Sequence, residues 1–552
     1  MAPNIAEFGG FGAFFLVRRG CLFTRKRPPM SPGHVPRTRL LLVFTACLCI
    51  AAEAPGSGTA PGVGGISVVA VRTFGRDGKP SSQGTAFFTS CNGDLCTNRH
   101  LFESAFRAEI EAGQSRVFPV DGVVGEDLDG DLILLHAAVA HESIRPLALS
   151  GVGPRIGEAV TVRVGGALSS GGTVSAVNLV PPFGPVLATT APISPTASGS
   201  PVVNAMGEVV GVATSLLIGG ESVEATVPAA RVTAMQVAEA KTIAQWQSTR
   251  AEYSEKPPER DYRNGLWLAW AGKYAAATGS LNETVLRDPT HARAYALLSY
   301  CFEKLDKPQE QSQAIQQLIR ISPREVTNYL DLARVYGKNG YYKEVLQILD
   351  LALKVKSDCA DIYTLRCWAH TQLGNCEDAV RCCKQAMTFK ADDDRALYNL
   401  GLAYRKLGQR EQALSAFKQA LNINPKSVDA MLSCGALCLD LDRPSTAVDY
   451  LRLSVRADSA NVAAWKLLGR AYTAFADSLP DAVGSLRTAV RLAPRDNEAH
   501  YLLGIAYVKI GDLPAARDEL SALEGLDPTR ASQLRVLIAQ QPLPSRIRAS
   551  RR

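Results

Sequence analysis

The sequence is short of several things, and each shortage removes a class of function. No apolar run is long enough to cross a bilayer comfortably. The best, residues 40–52, falls short of the roughly 20 residues that a spanning helix needs. There is no CxxC and no His/Cys cluster at metal-ligand spacing, so no metal site is expected. Charge of one sign is scarce too. The net charge is +7 over 552 residues, and much of the excess sits at the ends, in arginines 18, 19, 25, 27, 546, 548, 551 and 552. Such ends read as solvated tails, and no nucleic-acid surface is expected.

What is present in quantity is a rhythm. Pro289, Pro323, Ser357, Ala391, Pro425 and Ser459 are each 34 residues apart, and Pro494 and Pro528 continue the series after one 35-residue step. A unit of this length cannot bury its apolar face alone, so neighbours must stack. In the best copy, which ends at Pro425, Leu397, Leu400, Gly401 and Tyr404 share one face of a first helix. Ala413, Phe417 and Ala420 share one face of a second. Gly401 and Ala413 are small where the two helices must approach, and Tyr404 and Phe417 fill the surrounding space. These positions resemble the tetratricopeptide (TPR) repeat. Seven good copies and one degenerate first copy, near residues 265–289, are expected. The resemblance implies an all-α superhelical solenoid whose groove takes protein or peptide partners.

The N-terminus is layered. Arg37 and Arg39 precede the apolar run and small residues follow it, which is the form of a secretory signal peptide cleaved near Ala52 or Ala54. Met30 can then be the true start. An uncleaved membrane anchor is the other reading, and the expected location is the periplasm or the extracellular space. Eight of the 13 cysteines lie in the repeats. Cys367, Cys383, Cys434 and Cys438 occupy core positions, where they are expected to act as small buried hydrophobes. Cys91 and Cys96 flank a hairpin turn, where a bridge in an oxidising compartment is geometrically open.

Residues 64–232 have another texture, with short β-branched runs broken by glycine, proline and asparagine. Strands are expected at 65–73, 84–90, 117–124, 132–136, 159–164, 172–177, 202–203 and 209–214, which suggests an all-β barrel or sandwich. Three stretches carry chemistry: GTAFFTS from Gly84 leading to TNRH at His100, DLDGDLILL around Asp131, and ISPTASGSPVVN around Ser198. In the order His, Asp, Ser and at this spacing they resemble the chymotrypsin-fold serine proteases, most closely the HtrA/Deg type. GTVSA from Gly172 and ATVP ending at Pro228 fit the same resemblance.

The resemblance implies a double β-barrel and a cofactor-free endopeptidase. His100 is the implied general base, Asp131 its orienting carboxylate and Ser198 the nucleophile. Asp131 is preferred to Asp127 and Asp129 because it directly precedes the apolar strand 132–135. Backbone N–H groups of Thr196, Ala197 and Ser198 are the implied oxyanion donors. Pro192, Ile193, Thr214 and Leu216 are expected around a pocket for a small apolar side chain. One position departs from the family pattern: Thr196 stands where glycine is usual, and threonine resists a positive φ. An oxyanion hole that is misformed at rest, or that forms only on activation, is therefore expected.

The expected organisation is an N-terminal extension and signal or anchor at 1–54, a protease domain at 60–235, a helical linker at 236–260, about eight repeats at 261–540, and a basic tail at 541–552. Protease and repeats are expected to keep separate cores. The functional expectation is an exported serine endopeptidase whose repeats recruit substrates or partners. A pseudo-protease scaffold is the alternative.

Overall fold

The computed structural model describes residues 65–113, 116–165, 169–252 and 256–540. The expected signal segment and the basic tail lie outside these residues.

Seven antiparallel strands form the first sheet: β1 Val68–Phe74, β2 Pro80–Phe88, β3 Asp94–Asn98, β4 Arg107–Ala112, β5 Arg116–Pro119, β6 Gly122–Asp127 and β7 Leu132–His136. Their spatial order is β5-β4-β1-β2-β3-β7-β6. The expected single strand at 117–124 is two strands, because the chain changes partner there. Val120 N–H still donates to Ala108 of β4, while Asp121 N–H donates to His136 of β7. Six further strands close a barrel: β8 Ala159–Val162, β9 Ser170–Val180, β10 Gly184–Thr189, β11 Pro201–Asn204, β12 Val209–Ile218 and β13 Glu221–Pro228. Strands β3, β4, β10 and β13 were not expected. In β4, RAEIEA alternates outward charge with inward Ala108, Ile110 and Ala112. That is period-2 patterning without a run of β-branched residues.

The expected connecting helix is two helices with an extended segment between them. Helix α1, Ala229–Ala234, follows β13, and α2, Ile243–Glu252, comes after the gap. In between, Ala238 N–H donates to Val124 O at 2.7 Å, and Val123 and Lys241 exchange backbone bonds at 2.8 and 3.0 Å. The segment thus covers the free edge of β6, satisfying backbone groups that an exposed edge leaves open.

The helical array starts with α3 Pro257–Trp270, α4 Tyr274–Arg287 and α5 Ala292–Lys304. Helix pairs then repeat to Leu513–Leu526, eight pairs in all, and a last helix spans Pro528–Ala539. One contact recurs inside the pairs. A Cβ added at Gly265 would lie 2.6 Å from Leu281, at Gly401 2.5 Å from Phe417, at Gly435 2.5 Å from Leu451 and at Gly469 2.4 Å from Leu486. At these crossings a side chain from the second helix fills the space that glycine vacates in the first. At Gly504 the neighbour is Leu534 of the last helix, 2.4 Å away, so that helix seals the array.

The same position holds a correction. Cys367 stands 34 residues before Gly401 and Cys383 34 before Phe417. These two are not free hydrophobes but a disulfide, with a Cα–Cα distance of 5.3 Å. The covalent bond replaces the glycine–aromatic contact of the next repeat. Cys434 and Cys438 do stay free and buried. Burial pushes the Cys434 thiol up to about 12, which keeps it protonated. Cys91 and Cys96 are also free, and Cys96 is buried in β3 opposite Phe87.

The expectation of separate cores is overturned. One apolar cluster runs from Phe87 and Leu134 of the first sheet, through Val180, Phe183 and Val227 of the barrel, into Leu266, Trp270 and Leu281 of the array. Phe183 packs against Trp270 with ring centroids 4.7 Å apart and the planes tilted by 47°. The repeats bury aromatic side chains on the barrel because their first helix, GLWLAW, is apolar on more than one face.

Candidate active site

His100 lies in a short 3-10 turn directly after β3, and Asp131 lies just before β7. Strands β3 and β7 are neighbours, with Asn98 opposite Leu132, so the sheet register brings the two side chains together. Asp131 is fully buried; its Oδ1 accepts the His100 N–H at 2.9 Å and its Oδ2 meets His100 Nδ1 at 2.5 Å. The His100 side chain is 19% exposed. Burial lowers its pKa, but the Asp131 charge and hydrogen bond, aided by Glu103, outweigh that effect. The imidazole therefore titrates above its ordinary value.

Ser198 follows the 3-10 turn Pro195–Ala197 and leads into β11. Its carbonyl accepts from Thr85 N–H at 2.8 Å, which fixes this loop against β2. Gly199 has φ +85°, and a Cβ there would lie 2.1 Å from Thr85 O, so only glycine serves after Ser198. The Ser198 hydroxyl is fully buried. It donates to Ser215 O at 2.7 Å and accepts Ser215 N–H at 3.0 Å. Both of its bonds therefore go to strand β12 rather than to His100.

Asn98 joins the two halves. Its amide donates to Asp131 O at 3.1 Å and to Thr214 Oγ1 at 2.8 Å, one residue before Ser215. Asn98 thus ties the Asp131 turn to β12, the strand whose Ser215 holds the Ser198 hydroxyl. The sequence pointed to Asn98 only as part of the TNRH stretch, and it gave no sign of Ser215.

Two of the three expected oxyanion donors are occupied. Ala197 N–H donates to Ser194 O at 2.8 Å, and Ser198 N–H to Pro195 O at 3.2 Å. Thr196 is not among the positive-φ residues; its backbone follows the 3-10 turn instead. The four expected pocket residues lie on two stretches, 192–193 and strand β12. Ile193 is buried in the barrel interior with Val160 and Val202, and Pro192 is exposed. Thr214 faces Asn98, and Leu216 packs on the cluster that reaches the array.

The family model described as a trypsin-like peptidase domain matches residues 84–212. Two tetratricopeptide repeat models match residues 394–427 and 466–531. Among curated proteins the chain is similar to anti-sigma-I factor RsgI9 of Acetivibrio thermocellus, at 32% identity over 169 residues, 30% of this chain and 24% of that one. It is also similar to protein NPGR2 of Arabidopsis thaliana, at 30% identity over 158 residues, 28% of this chain and 20% of that one. The chain therefore spans about a quarter or less of the length of these relatives. A solved HtrA-type protease, AlgW with a tripeptide, is 22% identical, with a TM-score of 0.26 over 30% of this chain and 57% of that one. The described chain joins a trypsin-like peptidase domain to a tetratricopeptide repeat array.

Proposed function

We propose that this chain is an exported serine endopeptidase of the HtrA/Deg type, whose array recruits protein substrates or partners. The observation that carries the reading is the buried Asp131 carboxylate on His100 Nδ1, with Ser198 held on Ser215 of β12, next to the Thr214 that the Asn98 amide reaches. In the working cycle His100 takes the Ser198 proton as the hydroxyl oxygen attacks the scissile carbonyl. The protonated imidazole then hands that proton to the leaving amine. Water hydrolyses the acyl-enzyme by the same steps in reverse roles. Asp131 holds the tautomer that leaves Nε2 facing the reaction.

This arrangement is a resting state. To act, the Ser198 hydroxyl must leave Ser215, giving up two hydrogen bonds worth roughly 0.5–1.5 kcal/mol each. The turn at Pro195–Ala197 must also release the Ser198 N–H to the oxyanion. Export is supported by the Cys367–Cys383 disulfide, since such bonds persist in oxidising compartments.

A second reading has its own support. The occupied Ser198 hydroxyl and N–H favour a pseudo-protease that serves as a scaffold beside the array. Cleavage of casein by the full chain, lost in Ser198→Ala, supports the endopeptidase. Equal cleavage by both proteins, or by neither, refutes it.

A further inference from the structure

Asp131 sits in an unfavourable backbone conformation on a short turn. Its φ is +53°, a left-handed value that costs a non-glycine residue about 1–2 kcal/mol and that aspartate tolerates better than most. Such conformations persist only where the surroundings impose them. The turn supplies little of this itself. Asp131 N–H reaches Leu128 O at 3.4 Å, and the Asp127 carboxylate accepts Gly130 N–H at 3.1 Å.

Asp131 itself is tied to the end of β3, where Arg99 N–H and the Asn98 amide donate to its carbonyl at 2.8 and 3.1 Å and His100 N–H to its carboxylate at 2.9 Å, and the rest of the turn is tied to helices. Arg231 of α1 grips the Asp127 carboxylate with two bonds, at 2.7 and 2.6 Å. Arg293 of α5 pairs with the Asp129 carboxylate. Trp267 of α3 donates its indole N–H to Asp129 O at 3.0 Å. These anchors brace one another: Arg231 lies 4.4 Å over the Phe183 ring, Phe183 packs against Trp270, and the Trp270 ring centroid lies 6.4 Å from that of Trp267. Arg293 in turn lies 4.6 Å over the Tyr262 ring of α3. The contacts close a ring from Asp127 through the barrel into the array and back to Asp129, two residues from Asp131.

We infer that Trp267 and Arg293, from the first helices of the array, are positioning residues for the His100–Asp131 pair. By fixing Asp129 they hold the turn that presents the Asp131 carboxylate to His100 Nδ1. The array is then part of the active-site frame as well as a recruiting surface. The catalytic consequence rests on the endopeptidase reading; the geometric one does not.

The test uses the full chain and four variants: Arg293→Ala, Arg293→Lys, Trp267→Phe and Trp465→Phe. The last is a control, because Trp465 makes a similar indole bond, to Ser459 O at 2.9 Å, far along the array. The first readout is the pH titration of His100 in protein labelled with 15N-histidine. The charged groups that face His100 are Asp131, Glu103 and Arg99, and the variants leave all three in place. Arg293→Ala should lower the His100 titration midpoint by about one pH unit, as expected when an opposite charge moves away. Arg293→Lys should restore most of it, and Trp267→Phe should give a smaller fall in the same direction. Trp465→Phe should leave it in place. The second readout is cleavage of a short peptide, in which Arg293→Ala should lower kcat about tenfold with KM within twofold. A His100 midpoint unchanged in Arg293→Ala, or shifted equally by Trp465→Phe, overturns the inference. A wild-type chain that cleaves no peptide overturns the endopeptidase reading instead, and the titration still decides this one.

Discussion

The junction between barrel and array gives the sharpest test of the fold, through Trp270→Ala. Trp270 is 3% exposed and lies against Phe183, itself 7% exposed, at 4.7 Å. Its indole nitrogen has no hydrogen-bond partner, so little polar compensation is lost with the ring. Truncating a buried tryptophan to alanine costs about 3–5 kcal/mol. The loss should be felt on both sides, because the apolar cluster is continuous from Phe87 to Leu281. Urea unfolding of the full chain, followed by circular dichroism at a helical and at an aromatic wavelength, reads both parts. The expected result is a loss of several kcal/mol in the transition that includes the barrel, with the first helix pairs melting alongside it. For the same reason a fragment ending near residue 250 should be insoluble or molten, since it would expose Phe183 and Val180. A loss below about 1 kcal/mol, or a soluble, cooperatively folding fragment, would refute the continuous core.

Three further outcomes follow from the site and the array. Thr196→Gly should raise turnover by letting the Pro195–Ala197 turn release its peptide groups, since one oxyanion donor is worth about 100- to 1,000-fold; equal or lower turnover at unchanged stability contradicts this. The pH profile of kcat/KM should have its rising limb above the ordinary histidine value of about 6.5, because His100 works deprotonated and its pKa is raised. By the same sign, the His100–Asp131 pair adds stability below that pH and loses it as pH rises through the folded value; a limb at or below 6.5 contradicts both. Reduction of Cys367–Cys383 opens a loop of sequence separation 16, and it should destabilise the array by roughly 3 kcal/mol; identical unfolding curves with and without dithiothreitol exclude that contribution.

The array was largely legible in the sequence, because its contacts are local and periodic. Gly401 against Phe417 follows from a spacing that repeats down the chain. The departures lie where spacing says nothing about chemistry. Nothing in the pattern told that Cys367 and Cys383 are bonded while Cys434 and Cys438 are not. In the sheets, β7 was plain because Leu132–Leu135 is continuously apolar, whereas β4 and β13 hide their inward residues behind outward charge. At the site, the motifs led to His100 and Asp131 because neighbouring strands carry them. They could not reveal the rotamer of Ser198, the role of Ser215, or the clamp on Asp129. All three depend on contacts between residues 17 or more apart in the chain, as in Ser198 with Ser215 and Trp267 with Asp129.

The most direct test of the central claim is labelling of the full chain with a fluorophosphonate probe, which reacts only with an activated serine. Wild type should take up one equivalent at Ser198, located by peptide mass spectrometry. Uptake should rise with pH as His100 loses its proton, and Ser198→Ala and His100→Ala should take up none. A wild-type chain that stays unlabelled across this pH range, or that labels equally after Ser198→Ala, would contradict the endopeptidase reading.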